Sequence, residues 1–236
     1  MKTALVIGST RGIGSQIGKD LLDKGYYVIF NYVNDDDSAM TLRTQLRGYQ
    51  GLFQIIKADM SNINQITTLI KDIDTLDVIV LNAGATDRTP FGEITLSNWY
   101  NVFDTNLVIP FFLIQKLRER INKNGKIIFI SSIAGCTTDS TSIAYGVSKG
   151  AIHVLVPYLA KEFADKKITV NAIAPGYIDT NWHLSKDNKQ IERIEQKCLA
   201  KRLGTVKEVS KAVMSMVDND FINGQIIRVD GGFGLC

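Results

Sequence analysis

Short apolar runs, most of them rich in Val and Ile and without polar alternation, recur along the 236-residue chain between stretches of helical periodicity. Runs of that kind read as strands buried on both faces, the pattern of a parallel sheet. The expected strands are Thr3–Gly8, Tyr27–Tyr32, Phe53–Lys57, Val78–Leu81, Lys126–Ser131, Thr169–Ile173 and Gln225–Val229. The expected helices are Ile13–Lys24, Ser38–Arg47, Ile63–Ile73, Trp99–Asn122, Tyr145–Phe163 and Lys207–Val217. Alternation of this sort predicts an α/β fold, a doubly wound parallel sheet with helices on both faces. With no internal repeat and no Pro-, Gly- or Ser-rich linker, residues 1–236 read as one domain.

Asp179–Ala200 stands apart: it is polar, poorly periodic and lies between a strand and the last helices. Ligands of open α/β sheets bind at the carboxyl ends of the strands, so this segment is read as a substrate lid (179–200) and not as a plain connector. Bulk properties narrow the rest. A net charge of +3 does not argue for nucleic acid. Three scattered cysteines (Cys136, Cys198 and Cys236) lack metal-ligand spacing, so no metal site is expected and a reducing compartment is. No segment reads as a signal peptide or a membrane span. The expectation is a cytoplasmic enzyme.

The first strand runs directly into Gly8-Ser9-Thr10-Arg11-Gly12-Ile13-Gly14, and a helix follows. Glycines there allow a tight turn and let the backbone approach a pyrophosphate, which the helix N-terminus then attracts. Further along, Tyr145 and Lys149 sit four apart on one helix face, within reach of each other. A nearby ammonium favours phenolate over phenol, and such a tyrosine can exchange a proton with a carbonyl or alcohol oxygen. Ser132, upstream, offers the same oxygen a second hydrogen bond.

These residues, in this order, resemble the short-chain dehydrogenase/reductase family in its compact branch. The resemblance spans nearly the whole chain: G-x-x-x-G-x-G at Gly8–Gly14, Asp59, Leu81-Asn-Ala-Gly84, Asn106, Ser132, Tyr145, Lys149, Asn171, Pro175-Gly-Tyr-Ile-Asp-Thr180 and the closing Asn223-Gly-Gln and Val229-Asp-Gly-Gly232. It implies a Rossmann-type, mostly seven-stranded parallel sheet and hydride transfer with a nicotinamide dinucleotide. In the roles it implies, Tyr145 is the general acid or base and Lys149 lowers its pKa and binds the nicotinamide ribose. Ser132 orients the substrate oxygen, and Asn106 helps hold a water that relays protons to Lys149. The implied cofactor contacts are the Gly8–Gly14 loop, Asn31 and Tyr32 after the second strand, Asp59 and Met60 flanking adenine, and Asn82, Ala83 and Gly84 against the ribose. Pro175, Gly176, Ile178 and Thr180 complete them at the nicotinamide, with Tyr145 and Lys149. Within the family the pattern is most similar to 3-oxoacyl-[acyl-carrier-protein] reductases, including Asn31-Tyr32 and Arg202-Leu-Gly204. The activity so implied is NADPH-dependent reduction of a ketone to a secondary alcohol, with a small carbonyl or alcohol substrate, a 3-oxoacyl thioester, free or carried on an acyl carrier protein. The alternatives are NAD-dependent chemistry on another small ketone or alcohol (a sugar, steroid or quinone) and a non-catalytic nucleotide-binding regulator, which would be expected to lack Tyr145 or Lys149. The implied assembly is a homotetramer or homodimer.

The chain departs from the family pattern at Ile7 and Leu81, where a Thr and an Asn are usual, and in a shortened stretch from Asp59 to Asn82. Pro157 falls inside the helix after Lys149, which in the family forms the main subunit interface; an interior proline removes a helical hydrogen bond and usually kinks the helix. NADP(H) is preferred over NAD(H), which stays open. Tyr32 stands where NAD-preferring relatives carry Asp, and Arg11 is placed to reach a 2′-phosphate; Asp35, Asp36 and Asp37 argue mildly the other way. His153 reads as a packing or interface residue and not as a proton shuttle, and Trp182 as lid surface or substrate contact. Arg118, Arg120, Lys123 and Lys126, and separately Lys166 and Lys167, form basic clusters that read as solvated helix ends or as a surface for an acidic carrier protein.

Overall fold

The computed structural model describes residues 1–59, 65, 71, 73–138, 142–183 and 187–235. Seven parallel strands form one sheet in the order β3-β2-β1-β4-β5-β6-β7. They are β1 (Thr3–Ile7), β2 (Tyr27–Tyr32), β3 (Phe53–Lys57), β4 (Leu76–Leu81), β5 (Ile121–Ile130), β6 (Thr169–Pro175) and β7 (Ile226–Val229). The order reverses beside β1, between β1 and β4, where an open α/β sheet leaves a crevice at its carboxyl edge. Alternate side chains along a strand feed opposite cores. Leu5 and Ile7 of β1 point to one core, and Ala4 and Val6 to the other.

Helices α1 (Gly12–Asp23), α2 (Asp36–Gln45) and α7 (Val206–Asp218) close the second of these faces through Ile17, Leu21, Leu42, Val209 and Val213. Helices α4 (Ile109–Leu117) and α5 (Ile143–Glu162) close the first through Leu113, Leu117, Ile152 and Val156. Each such side chain, wholly removed from water, contributes roughly 1.5–3 kcal/mol. Two shorter pieces, α3 (Leu96–Phe103) and α6 (Asn188–Lys197), complete the helices used below.

Several expected boundaries move. The helix expected over Trp99–Asn122 divides into α3, a π-helical turn at Asp104–Val108, and α4; the chain is already in β5 by Ile121. A ladder partner in β4 accounts for the early strand start, with a register shift between Leu76 and Val78 admitting Asn122–Gly125. Helix α5 continues through Pro157 without interruption in its residue range. The helix expected over Ile63–Ile73 and the cofactor contact expected at Met60 lie outside the described residues.

The expected lid is not simply irregular. Asp187 caps α6 through a reciprocal capping box with Gln190. Ile191, Ile194 and Cys198 recur at helical spacing, and Ile194 and Cys198 are buried against Ile133 and Phe233. Tyr177 joins them, its ring centroid 5.0 Å from that of Phe233. That small core ties the lid helix to the residue following Ser132.

By length and composition, α5 is also apolar enough to cross a membrane. Its 20 residues are apolar for two separate reasons, a row facing the sheet and a second, outward row at Val147, Val154 and Tyr158.

Candidate active site

Four strand ends bring the site together: β1 delivers the glycine loop, β4 Asn82–Gly84, β5 Ser132, and β6 Gly176–Thr180. The glycines of the loop meet real steric limits. Gly8 has φ +65°, and a Cβ there would lie 2.8 Å from Ala83 Cα; a Cβ on Gly14 would lie 2.6 Å from both Asn82 Nδ2 and the Gly8 oxygen. The Asn82 side chain donates to that Gly8 carbonyl, locking the end of β4 to the loop.

The loop is also held from below. Asn31 is fully buried; its backbone N–H donates to Ser9 Oγ at 2.9 Å, and its amide donates to the Ala58 carbonyl at 3.0 Å. Ser9, equally buried, donates its hydroxyl to the Val6 carbonyl at 2.7 Å. Both are among the expected cofactor contacts. Their side chains brace the loop, because burial commits each polar atom to the backbone. Asp59 ends the neighbouring edge, its N–H donating to Gln65 Oε1 at 2.7 Å.

The start of α1 is where this chain fits a dinucleotide. Arg11 occupies its N-cap with no side-chain cap bond. By contrast, Asp35, Thr95, Ser142, Asp187 and Thr205 each cap the helix they precede. Uncapped N–H groups at the positive end of a helix suit a phosphate. Thr180 lies alongside, its Cγ2 3.7 Å from where a Gly12 Cβ would stand. At the ribose end, Arg11 is paired with Asp35 at 2.5 Å, while Tyr32 donates to Asp36 at 2.7 Å and Lys57 pairs with the same carboxylate at 2.6 Å.

Tyr145 sits in the first turn of α5, its N–H bonded to the Ser142 cap at 3.2 Å. Ser132, in extended backbone, accepts from Ala134 N–H at 3.1 Å and hydrogen-bonds the Tyr145 phenol. Burial raises the Tyr145 pKa above its usual value, and the Ser132 bond opposes that rise. Lys149 does not bond the phenol. Its Nζ donates to the Ile130 carbonyl at 2.8 Å and stands 5.7 Å from the Tyr145 ring centroid. Lys149 was expected to lower the phenol; here burial sets the direction, and Lys149, lying over the ring, is not among the causes that move it. Burial lowers Lys149 itself to about 8.

Asn106 lies in the π turn, a device that re-aims a side chain out of a helix. Its Oδ1 accepts from Ala85 N–H at 2.8 Å, and its amide donates to the Ala85 carbonyl at 3.0 Å and to Ser148 Oγ at 2.9 Å. Both amide hydrogens are thus committed to the chain, leaving one lone pair for the expected water. Ser148 passes the connection on, donating to the Tyr145 carbonyl at 2.9 Å. It was not anticipated, although its place three residues after Tyr145 was a usable signal. The Ile130 carbonyl carries none in the sequence. Gly84 closes the cluster: a Cβ there would lie 3.5 Å from Asn106 Oδ1 and 3.7 Å from Lys149 Nζ.

From the lid, Trp182 lies over Tyr145 with ring centroids 5.9 Å apart and planes tilted by 39°, so it forms a wall of the site. The basic clusters lie elsewhere, at the amino ends of β5 and β6. Arg118 pairs with Glu162, Lys166 with Glu119, and Lys126 with Asp220.

Strand order, crevice, uncapped helix and Ser–Tyr–Lys cluster together define an oxidoreductase of the doubly wound type. A family model described as Enoyl-(Acyl carrier protein) reductase matches residues 7–234. The 3-oxoacyl-[acyl-carrier-protein] reductase FabG of Staphylococcus epidermidis is 33% identical over 98% of each chain. Among solved structures, a short-chain dehydrogenase/reductase of Serratia marcescens superposes with TM-score 0.91 at 27% identity, over 99% of this chain and 98% of that one. An RhlG/NADP complex from Pseudomonas aeruginosa does so with TM-score 0.90 at 31% identity, over 99% and 96%. The chain belongs to the short-chain dehydrogenase/reductase family.

Proposed function

We propose that this enzyme uses NADPH to reduce a ketone to a secondary alcohol, with a 3-oxoacyl thioester as its substrate class. The observation that carries the reading is the Tyr145 phenol held protonated by burial, bonded to Ser132 and backed by the Lys149 ammonium, beside an uncapped helix N-terminus. Bound nicotinamide supplies the hydride, and the protein supplies the rest. The α1 N-terminus and the Gly8–Gly14 backbone hold the phosphates. Ser132 and Tyr145 present two hydroxyls to one carbonyl oxygen, and Tyr145 delivers the proton as negative charge develops there. Lys149, cationic at neutral pH, stabilises the phenolate left behind. Asn106 and Ser148 hold the turn that carries Tyr145, and Trp182 shields the reacting carbonyl from water.

For the dinucleotide, a tyrosine and not a carboxylate at the end of β2, with Arg11 and Lys57 nearby, supports NADPH. The RhlG neighbour, solved as a complex with NADP, points the same way. One observation favours NAD(H) with another small ketone: Arg11 and Lys57 are already neutralised by Asp35 and Asp36. Carriage of the thioester on an acyl carrier protein belongs to the same reading.

The test is dinucleotide oxidation with an acetoacetyl thioester. NADPH is expected to give the larger kcat/KM, and turnover only with NADH, or only of alcohols with NAD, overturns the assignment. Tyr145→Phe removes the donated proton and should lower kcat by about 10²–10⁴-fold. Dinucleotide affinity should stay near wild type, as read by quenching of protein fluorescence.

A further inference from the structure

Lys149 is held at both ends by consecutive residues of one strand end. Its Nζ donates to the Ile130 carbonyl at 2.8 Å, and its backbone carbonyl accepts the Ser131 hydroxyl at 3.0 Å. The next residue is Ser132. The distance between the proton-transfer pair on α5 and the serine on the β5 loop is therefore set partly by Ser131, which touches neither substrate nor cofactor in the reading above. Ser131 is buried, and its Oγ makes one further contact, 2.8 Å to His153 Nε2.

The proton assignment follows from counting. Ser131 has a single O–H, and it goes to the Lys149 carbonyl; the contact with His153 then requires the imidazole to donate from Nε2. Burial and the nearby Arg228 and Lys149 cations hold His153 below its usual pKa, so the neutral Nε2–H form is the one that fits at pH 7. The helix supplies the rest of the geometry, because residue 153 is one turn beyond Lys149 and its side chain lies over the same carbonyl. The turn carrying Ser132 docks at this spot: a Cβ on Gly135 would lie 2.7 Å from Gly150 N and 2.9 Å from His153 Cε1.

We infer that His153 is a positioning residue for the proposed reaction: it donates to Ser131, which holds the Lys149 backbone, and so keeps Lys149 and Tyr145 in register with Ser132. This rests on the reductase reading for its kinetic consequence, though not for the hydrogen-bond chain itself.

The chain contains two histidines, so His183→Gln leaves His153 as the only imidazole. Long-range ¹⁵N–¹H NMR on that variant should show protonated Nε2 and bare Nδ1 at pH 7, and adding Ser131→Ala should shift the Nε2–H signal. A proton on Nδ1, or an Nε2–H signal unmoved by Ser131→Ala, overturns the inference whatever the substrate proves to be. In the kinetic arm, His153→Leu should lower kcat about tenfold, the scale expected when reacting groups are slightly misplaced, with KM for the dinucleotide within twofold. His153→Gln, whose amide nitrogen stands as far along the side chain as Nε2, should restore kcat. Ser131→Ala should match His153→Leu, and the double variant should lose no more than either alone. Unchanged kcat in His153→Leu, or no recovery in a His153→Gln protein with a wild-type unfolding midpoint, also overturns it. If no carbonyl compound is turned over at all, the reductase reading fails and the NMR arm still decides whether the His153–Ser131 brace exists.

Discussion

A buried lysine beside a buried phenol sets the pH behaviour of this site. Lys149 falls to about 8 through desolvation, while Tyr145 rises, so between neutrality and pH 8 the phenol is protonated and the amine cationic. That combination suits donation of a proton to a carbonyl. Above about pH 8 the cation is lost first, and kcat/KM for the dinucleotide, which reports the free enzyme, should fall along an alkaline limb of that apparent pKa. Lys149→Arg, charged at every accessible pH, should abolish the limb even if it lowers the plateau; a limb that persists in Lys149→Arg would assign it to another group. Linkage has a matching sign. From about 8 up to the ordinary lysine range the unfolded chain binds the proton that the folded one has released, so Lys149 adds stability as pH rises through that window. At this scale the sequence identified residue types and spacing, and the structure brings Ser132, Tyr145, Lys149 and Asn106 into one cluster. It could not reveal the direction of the Tyr145 shift, because that depends on how much water the Trp182 wall and the sheet exclude. Nor could it reveal that Asn31 and Ser9 turn inward beneath the loop.

Elements fared unevenly for reasons that can be traced. Strands β2 and β3 match their expected ranges because their apolar runs begin and end abruptly. The stretch from Trp99 to Asn122 did not, since an apolar run through Ile109, Leu113 and Leu117 hides both a π turn and the entry into β5. Helix α6 was hidden by the opposite cause: with charged residues on most of its surface, only Ile191, Ile194 and Cys198 mark its inner row. Its reciprocal cap at Asp187 and Gln190 is therefore a large part of what makes it a helix. Asp187→Ala should weaken α6 by about 1 kcal/mol. Because the helix touches the rest of the fold mainly through Ile194 and Cys198, amide exchange across 188–197 should speed up while the global unfolding midpoint hardly moves. The same variant should raise the substrate KM more than it lowers kcat, since α6 packs through Ile194 and Cys198 on Ile133, the residue after Ser132. Exchange spread over β5 and β6 as well would mean that α6 does not open on its own.

For the whole molecule, a row of exposed apolar side chains runs along the outside of α5. Ile143, Val147, Val154 and Tyr158 project from one face at 46%, 49%, 63% and 72% exposure, and Tyr100 of α3 and Phe112 of α4 are exposed as well. A soluble monomer seldom leaves so many large apolar side chains on a few neighbouring helices. Pro157 does not divide α5, so the row lies along one helix and can meet a copy of itself across a twofold axis, which places identical faces together. We therefore expect a homotetramer, or a homodimer as its half, assembled through α5 with α3 and α4 beside it. A stable interface needs about 800 Å² from each partner, which a 20-residue helix and its neighbours can supply. Val154→Asp combined with Tyr158→Asp puts two carboxylates on each side of that contact, four in all where they meet across the axis, and desolvating them costs several kcal/mol. Light scattering coupled to size exclusion should then show the mass per particle falling at least twofold. Neither position lines the Ser132–Tyr145 cluster, so a dissociated variant that still binds dinucleotide would show each protomer's site to be complete. A mass unchanged by the double substitution would move the interface elsewhere and leave the α5 row without a partner among copies of this chain.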